Sequence, residues 1–233
     1  LTKLTIPETV TIIKESAFSN YTNLTSVTFS QGLTSIEKRA FSDCSSIDSL
    51  TIPSSVTSIG YSAFENCCGI KKVTLSNGLT SVDERAFAGC TSLLNLTTPG
   101  SVDTLGQNIF RGCTNLTTLT IQEGIECIEF ETFYDCTSLT NVTLPSTLTT
   151  IENASFGNCT SLRTITIPKN VYSIVTEYAN KNGKHSAFAG ATSLSVINVD
   201  SANTTYKSYD GCLYNSDLTE LLYCPEGKTQ LNR

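Results

Sequence analysis

The chemistry open to this chain is limited by its single histidine, His185. A cysteine or serine nucleophile needs a base beside it, so only His185 is available for such a site. The sequence has no glycine-rich phosphate loop, no H-E-x-x-H motif and no G-x-S-x-G motif. Its Asp and Glu residues stand at no repeated or clustered position that would indicate an acid–base pair. The sequence therefore predicts neither a catalytic site nor a cofactor or metal site.

The ten cysteines are the other residues with obvious chemistry. Zinc needs four converging ligands, which one histidine and a single file of thiols do not supply. Tyr21 and Ala191 take the same repeat position in the end units, so this position requires a residue that packs. We predict buried free thiols that behave as small apolar side chains. The file recurs every 23 residues and consists of Cys44, Cys67, Cys90, Cys113, Cys136 and Cys159.

The same period of 23 residues governs the apolar residues that must position these thiols. A fixed period in this range is typical of a stacked array. One unit holds only about seven apolar residues, too few for a core, so stacked copies bury them against one another. Leu50-Thr51-Ile52 alternates as a short strand does, and Pro53 ends it. The phenylalanines of the period are Phe18, Phe41, Phe64, Phe87, Phe110, Phe133 and Phe156, and Phe188 follows after 32 residues.

The pattern A-F-x-x-C-x-S-L-x-x-[LVI]-x-[IL]-P-x-x-[VL]-T-x-I resembles the leucine-rich repeat of bacterial BspA-like surface proteins. Ala40-Phe41 and Ala86-Phe87 match the A-F pair, and Leu139, Val142 and Leu144 with the following proline match the core of that repeat. The resemblance covers about residues 1–199. It implies a curved solenoid, secretion, and adhesive binding to proteins.

We therefore predict a β-rich leucine-rich-repeat solenoid over residues 1–199. It is a right-handed superhelix of about eight coils of 23 residues, with short parallel strands and an insertion at 175–186. One helical or 3₁₀ turn is expected near Gly60–Phe64. The chain begins inside a coil, and we expect the parent protein to continue towards the N-terminus with its secretion signals and anchors there.

Residues 200–233 are predicted to form a C-terminal β-hairpin cap that covers the last coil's open edge. Its strands are expected at Tyr206–Tyr214 and Leu218–Cys224. The segment is similar to the D-G-x-L-Y…L-L-Y-x-P sequence that closes arrays of this family. Cys212 and Cys224 either bridge across this hairpin or pack as free thiols. The off-file Cys68 and Cys127 are expected to be exposed.

The turns after the first seven strands alternate between two classes, which indicates a super-period of 46 residues, and Pro168 then breaks the alternation just before the insertion. One class has proline, at Pro7, Pro53, Pro99 and Pro145. The other class ends in glycine, at Gly32, Gly78 and Gly124. This pattern indicates the duplication of a pair of coils.

Two groups of residues are candidates for binding a partner. The outward threonines of the strands share one offset, although β-branched polar residues also suit an exposed strand that has no function. The insertion is the second candidate, although it also fits a tolerated solvent loop. Lys71, Lys72, Leu94 and Arg163 beside the strands form no evident cluster. The candidates are Thr51, Thr74, Thr97, Thr120, Thr143 and Thr166 in the strands, and Tyr178, Lys181, Lys184 and His185 in the insertion.

The composition restricts the partners. The net charge is −6 with no basic patch, which argues against nucleic acid. No apolar run is long enough to insert into a membrane. We expect a secreted or cell-surface module that binds a host or matrix protein, or a cell-surface glycan, in adhesion. The alternative is a rigid structural spacer that presents other domains of the parent protein.

Overall fold

The computed structural model describes residues 1–102, 104–180 and 183–230, and for 178–180 and 183–185 it describes the backbone alone. Each coil contributes one strand to a first ladder and a shorter strand to a second. The first ladder contains β1 (Lys3–Thr5), β3 (Ser26–Thr28), β5 (Ser49–Thr51), β7 (Lys72–Thr74), β9 (Asn95–Thr97), β11 (Thr118–Thr120), β13 (Asn141–Thr143), β15 (Thr164–Ile167) and β19 (Val196–Val199). The second contains β2 (Ile12–Ile13), β4 (Ser35–Ile36), β6 (Ser58–Ile59), β8 (Ser81–Val82), β10 (Thr104–Leu105), β12 (Cys127–Ile128), β14 (Thr150–Ile151) and β16 (Ser173–Ile174).

Strands of neighbouring coils pair in parallel, which confirms the predicted solenoid with short parallel strands. The first ladder consists of three sheets: β1 with β3, the five strands from β5 to β13, and β15 with β19. The second ladder consists of two four-stranded sheets. Coils are numbered by their first-ladder strand, from coil 1 with β1 to coil 8 with β15, and β19 belongs to the last coil, coil 9.

A stack of phenylalanine rings occupies the core. Consecutive ring centroids are 5.2 to 6.1 Å apart, with interplanar angles of 2 to 17°. Phe18 is half-buried at one end, and the other seven rings, from Phe41 to Phe188, are fully buried. Such offset ring pairs stabilise a core beyond the area they bury. Seven steps separate the eight rings, so the solenoid makes about seven turns.

The predicted helical turn near Gly60–Phe64 is wrong, because the described residues contain no α- or 3₁₀-helix. The backbone around Phe64 makes turns in which Ser62 and Asn66 have φ of 54° and 58°. Left-handed residues on both sides of the ring prevent a right-handed helix from propagating. Among the described residues no helix has the length and hydropathy to cross a bilayer.

The insertion forms a hairpin where a solvent loop was predicted. β17 (Tyr178–Asn180) pairs antiparallel with β18 (Gly183–His185). Ala187 N donates a hydrogen bond of 2.7 Å to Val175 O, so the chain returns to the coil at the point where it left. The extra residues therefore leave the ring stack uninterrupted between Phe156 and Phe188.

The C-terminal segment forms three antiparallel strands, and the predicted two-stranded hairpin is wrong in this respect. They are β20 (Tyr206–Tyr209), β21 (Cys212–Asn215) and β22 (Leu221–Tyr223). Asp210 and Gly211 have φ of 49° and 75° and make a tight turn within the first predicted strand. Asp-Gly is the dipeptide that favours such two-residue hairpin turns.

The C-terminal sheet packs on the last coil as a cap. The Tyr223 ring lies 5.8 Å from the Phe188 ring and continues the stack. Ile197 N donates to Gly211 O at 2.8 Å, and Gly227 N donates to Leu194 O at 2.7 Å. The edge of the last coil is thereby paired and shielded from other chains. The division into two domains at residue 199 stays a prediction.

Candidate functional site

The first ladder presents its polar residues on one surface, which we call the strand face. The middle residue of each three-residue strand is buried, as at Leu50 and Leu96, or half-buried, as at Val27, so the flanking residues point to solvent. The predicted outward orientation of the threonines is confirmed. Thr51, Thr74, Thr97, Thr143 and Thr166 are exposed and Thr120 is half-buried.

The turns after the strands pack in pairs of coils. In coil 4, Ser76 Oγ donates to Pro53 O of coil 3 at 3.0 Å. A Cβ on Gly78 would lie only 1.9 Å from Ser54 O, so this close approach requires glycine. Coil 2 repeats the contact on coil 1, where Ser30 Oγ donates to a proline carbonyl at 3.1 Å. In coils 2 and 4, the glycine-class turn therefore packs against the proline-class turn of the preceding coil.

Coils 5 and 6 form the third pair. Gln122 N of coil 6 donates to Thr98 Oγ1 of coil 5 at 3.1 Å. A Cβ on Gly124 would lie 2.2 Å from Gly100 O. The turn of coil 4 thus packs against coil 3, and the turn of coil 5 packs against coil 6, so the turns of coils 4 and 5 belong to different pairs. The predicted super-period of 46 residues is visible in the structure as this pairing of turns.

A groove opens between coils 4 and 5, where turns of two different pairs meet. The pairing of β7 with β9 is reduced to Lys72 opposite Asn95. Ile52 N bonds Thr74 O at 2.9 Å, whereas the equivalent bond from Leu75 N to Thr97 O is not found among the described residues. The strands part after their first residue, and the opening continues between the turns.

We call this opening the central groove. It has a volume of about 790 Å³ and lies on the strand face. Its described lining includes two of the predicted partner-binding residues, Thr74 and Thr97. The described residues that line it are Lys71, Lys72, Val73, Thr74, Leu75, Asn77, Leu94, Asn95, Thr97, Thr98, Pro99 and Gln122.

The other junctions between pairs are narrower or bridged. A smaller groove of about 320 Å³ lies between coils 2 and 3, beside Phe29. Between coils 6 and 7, the Glu123 carboxylate accepts hydrogen bonds from Ser146 N at 3.0 Å and Thr147 N at 3.1 Å. These bonds, that of Ser146 first, hold the pKa of the Glu123 carboxyl below its ordinary value. The central groove is therefore more than twice as large as the groove between coils 2 and 3.

The groove brings together residues that sequence reasoning left scattered. The lining of the groove includes Lys71, Lys72 and Leu94. Arg163 precedes β15, four coils after Lys71, and is not part of the described lining. Leu94 is 45% exposed, one of the larger apolar exposures on this face. The alternating turns were the available signal, but they did not indicate between which coils the strands part.

The insertion candidates lie in a separate place. Tyr178 is opposite His185 in the hairpin, and Lys184 stands one residue before His185 on β18. Lys181 lies outside the described residues. This hairpin follows β16, at the far end of the array from the central groove.

The cysteine file is a structural element of the core. All six thiols are fully buried and unpaired, as predicted. Each Sγ–H points at the carbonyl of the phenylalanine 26 residues earlier, at 3.0 to 3.6 Å. Burial raises the pKa of Cys113 to about 12 and that of Cys44 to about 11. Thiols held in the protonated form are poor nucleophiles and poor metal ligands.

The remaining cysteines lie near the surface. Cys68 and Cys127 are half-buried, so the expectation of exposure is only partly met. Cys212 Sγ lies 3.4 Å from Cys224 Sγ in the cap. No group of three or more His, Cys, Asp or Glu residues in the described part of the chain is arranged to hold a metal ion.

The family follows from comparison of the whole chain with known proteins. A model of the BspA type leucine rich repeat region, with six copies of the repeat, matches residues 1–116, 57–185 and 104–232. The chain belongs to this family. BspA type repeats and the fold they adopt are repeat-protein scaffolds and are not families of enzymes.

Solved structures of bacterial repeat proteins are similar to the chain. A leucine-rich repeat protein from Bacteroides ovatus is 28% identical, with a TM-score of 0.65 over 86% of this chain and 55% of that chain. One from Eubacterium ventriosum is 29% identical, with a TM-score of 0.54 over 91% and 47%. A third, from T. pallidum, is 22% identical with a TM-score of 0.60 over 62% and 70%, and shows the fold alone.

The chain spans about half the length of the Bacteroides and Eubacterium proteins. Among curated proteins, none matches it.

Proposed function

We propose that the chain is an extracellular protein-binding module that acts in adhesion and engages a host or matrix protein through its strand face. BspA type repeat proteins are typically surface-associated and protein-binding. The observation that carries the proposal is the central groove, an opening of about 790 Å³ among the exposed threonines of the strand face. Concave sites with apolar walls and a few polar groups are typical of ligand binding.

The mixed lining of the groove favours a protein over a glycan. Leu94, Leu75 and Pro99 offer apolar contact, and Asn77 and Asn95 offer amide donors and acceptors. Protein interfaces combine an apolar centre with such a polar rim. A partner that covers the groove would also contact the threonines of coils 3 to 6, which extend the polar rim along the ladder.

The spacer hypothesis rests on the uniformity of the threonine ladder. A stalk needs only an exposed, soluble surface, and β-branched polar residues provide one. The central groove is the feature that a stalk does not require. Its presence at one junction gives the face a distinct location at which partners can be discriminated.

Binding to immobilised matrix proteins and glycans tests the proposal. Leu94→Ser and Lys72→Gln should weaken saturable binding, because both side chains line the groove. Lys169→Gln, at an exposed lysine outside the groove, is the matched control and should change binding little. If deletion of the insertion at 175–186 abolishes binding, the binding site lies in the insertion instead of the groove. Absence of binding to every surface would contradict the proposal and favour a spacer.

A further inference from the structure

We infer that the central groove binds an extended, acidic segment of a partner protein. Its carboxylates lie beside Lys71 and Lys72, and one of its apolar side chains packs on Leu94. The inference rests on the proposed protein-binding function and specifies the ligand of that site. It follows from the charge, the shape and the apolar content of the groove.

The charge of the groove is opposite to that of the molecule. The chain as a whole carries −6. The described residues that line the groove include Lys71 and Lys72 and no Asp or Glu. A concave site lined by one sign of charge concentrates ligands of the opposite sign and raises their association rate. The groove therefore favours acidic segments, although the chain as a whole is acidic.

Both lysines are accessible to an incoming carboxylate. Lys71 Nζ is 2.7 Å from Asp48 Oδ1, and both side chains are mostly exposed. An ion pair so exposed contributes little to stability, so a ligand carboxylate competes for Lys71 readily. Lys72 forms no ion pair with a described residue and lies where β7 and β9 part.

The shape of the groove suits an extended main chain. It lies between two strands that pair at only one position, and side-chain amides of Asn77, Asn95 and Gln122 line it. Those amides can donate to and accept from a peptide backbone. An extended peptide turns alternate side chains to opposite sides, so acidic residues can face the lysines while an apolar neighbour faces Leu94.

The apolar wall favours a peptide over a sulfated glycan. Leu94 is 45% exposed, and Val73, Leu75 and Pro99 continue its surface within the groove. Packing an apolar side chain on this wall removes apolar area from water, which is a favourable term. Sulfated sugars meet the lysines equally well but bring no such side chain.

The test uses fluorescence anisotropy with the full chain and a labelled peptide of alternating Glu and Leu flanked by Ser. The matched peptide has Gln in place of Glu. The acidic peptide should bind more tightly, and added salt should weaken only its binding. Lys72→Gln and Lys71→Gln should each reduce its affinity roughly two- to fivefold, the range of an exposed charge pair. Leu94→Ser should weaken both peptides.

Lys169→Gln and Lys207→Gln remove the same charge from exposed sites outside the groove and should leave the affinity unchanged. Equal losses in these controls would show general charge attraction and overturn the inference, as would equal affinity of the two peptides or no binding of either. A third outcome would assign the groove to an anionic glycan instead. In that case heparin binds, Lys72→Gln weakens its binding, Leu94→Ser leaves its binding unchanged, and neither peptide binds.

The outcomes also separate this inference from the proposed function. Saturable binding to a matrix protein that survives all groove replacements would overturn the acidic-segment inference and leave the binding module intact. Peptide binding in the groove without binding to any immobilised surface would contradict adhesion and leave the groove specificity intact. Circular dichroism melting curves confirm that each variant is folded, since the replaced side chains are exposed.

Discussion

Alkaline pH should unfold this protein through its cysteine file. The six buried thiols stay protonated in the folded state, because burial raises their pKa above the ordinary value of 9.0. In the unfolded chain they ionise near that ordinary value. A raised folded pKa contributes full stability below pH 9, and this contribution is lost as the pH rises towards the folded value.

The magnitude follows from proton linkage. At pH 10 one thiol that ionises at 9.0 when unfolded and near 12 when folded removes about 1.4 kcal/mol from the free energy of unfolding. Once burial has raised the folded pKa well above the unfolded one, the loss at pH 10 depends mainly on the unfolded value, so the six thiols together remove about 8 kcal/mol between pH 7 and pH 10. A domain is typically stable by about 5–15 kcal/mol. The folded state should therefore fail close to pH 10.

Urea unfolding followed by far-ultraviolet circular dichroism at pH 7, 8, 9 and 10, with a reductant present, measures this dependence. The chain has no tryptophan, so fluorescence offers little. A Cys90→Ala/Cys113→Ala double variant removes two of the six thiols, and its loss between pH 7 and 10 should be smaller by about 3 kcal/mol. Thr97→Ala, which removes no thiol from an exposed strand position, is the control. An unchanged pH dependence in the double variant would refute the linkage argument, whatever the variant's stability at pH 7.

Three further predictions concern the core, the paired turns and the cap. Phe87→Ala should lower the free energy of unfolding by about 3–5 kcal/mol in urea titrations, because the ring is fully buried between two others, while Thr97→Ala should lower it by well under 1 kcal/mol. Gly78→Ala should destabilise by about 1–3 kcal/mol in the same assay, because its Cβ would lie 1.9 Å from a backbone oxygen of coil 3. Oxidised glutathione should convert Cys212 and Cys224 into a disulfide and release two reduced glutathiones, seen as a loss of about 2 Da by mass spectrometry, because their sulfurs already face one another at 3.4 Å.

Each of these has a contradicting result. Equal costs at Phe87 and Thr97 would mean that the inner and outer faces are assigned wrongly. A Gly78→Ala protein of wild-type stability would show that coils 3 and 4 are not in tight contact. Glutathione adducts at Cys224, without loss of two hydrogens, would show that the two thiols do not meet in solution.

Much of the fold was predictable because each position of a coil meets its own copy in the next coil. The offset of Phe87 repeats without error through seven units, so its burial in a ring stack follows from the spacing alone. The same holds for the outward Thr97 and the buried Cys90. In a stacked array, the period determines the neighbours.

The central groove was not predictable, because it depends on which neighbour each turn contacts. The alternation of proline and glycine turns was visible in the sequence. Whether the Gly78 turn approaches coil 3 or coil 5 depends on how closely the two backbones pack, which composition does not show. The missed turn in the cap had a local signal, Asp210-Gly211, which the surrounding apolar residues concealed. The expected helical turn failed because Ser62 adopts a positive φ.

The packing of the turns in pairs of coils affects which changes in the number of coils preserve the contacts between neighbours. Deletion of a single coil would set two turns of one class side by side, and a glycine turn would lose the proline turn on which it rests. Duplication or loss of two coils, 46 residues, would reproduce every contact between neighbours. Each such event would change the length of the array by about 10 Å. Steps of two coils therefore preserve the paired contacts of coils 1 to 6, whereas Pro145 and Pro168 already place two proline turns side by side in coils 7 and 8. Each added pair would bring a new junction at which another groove can form.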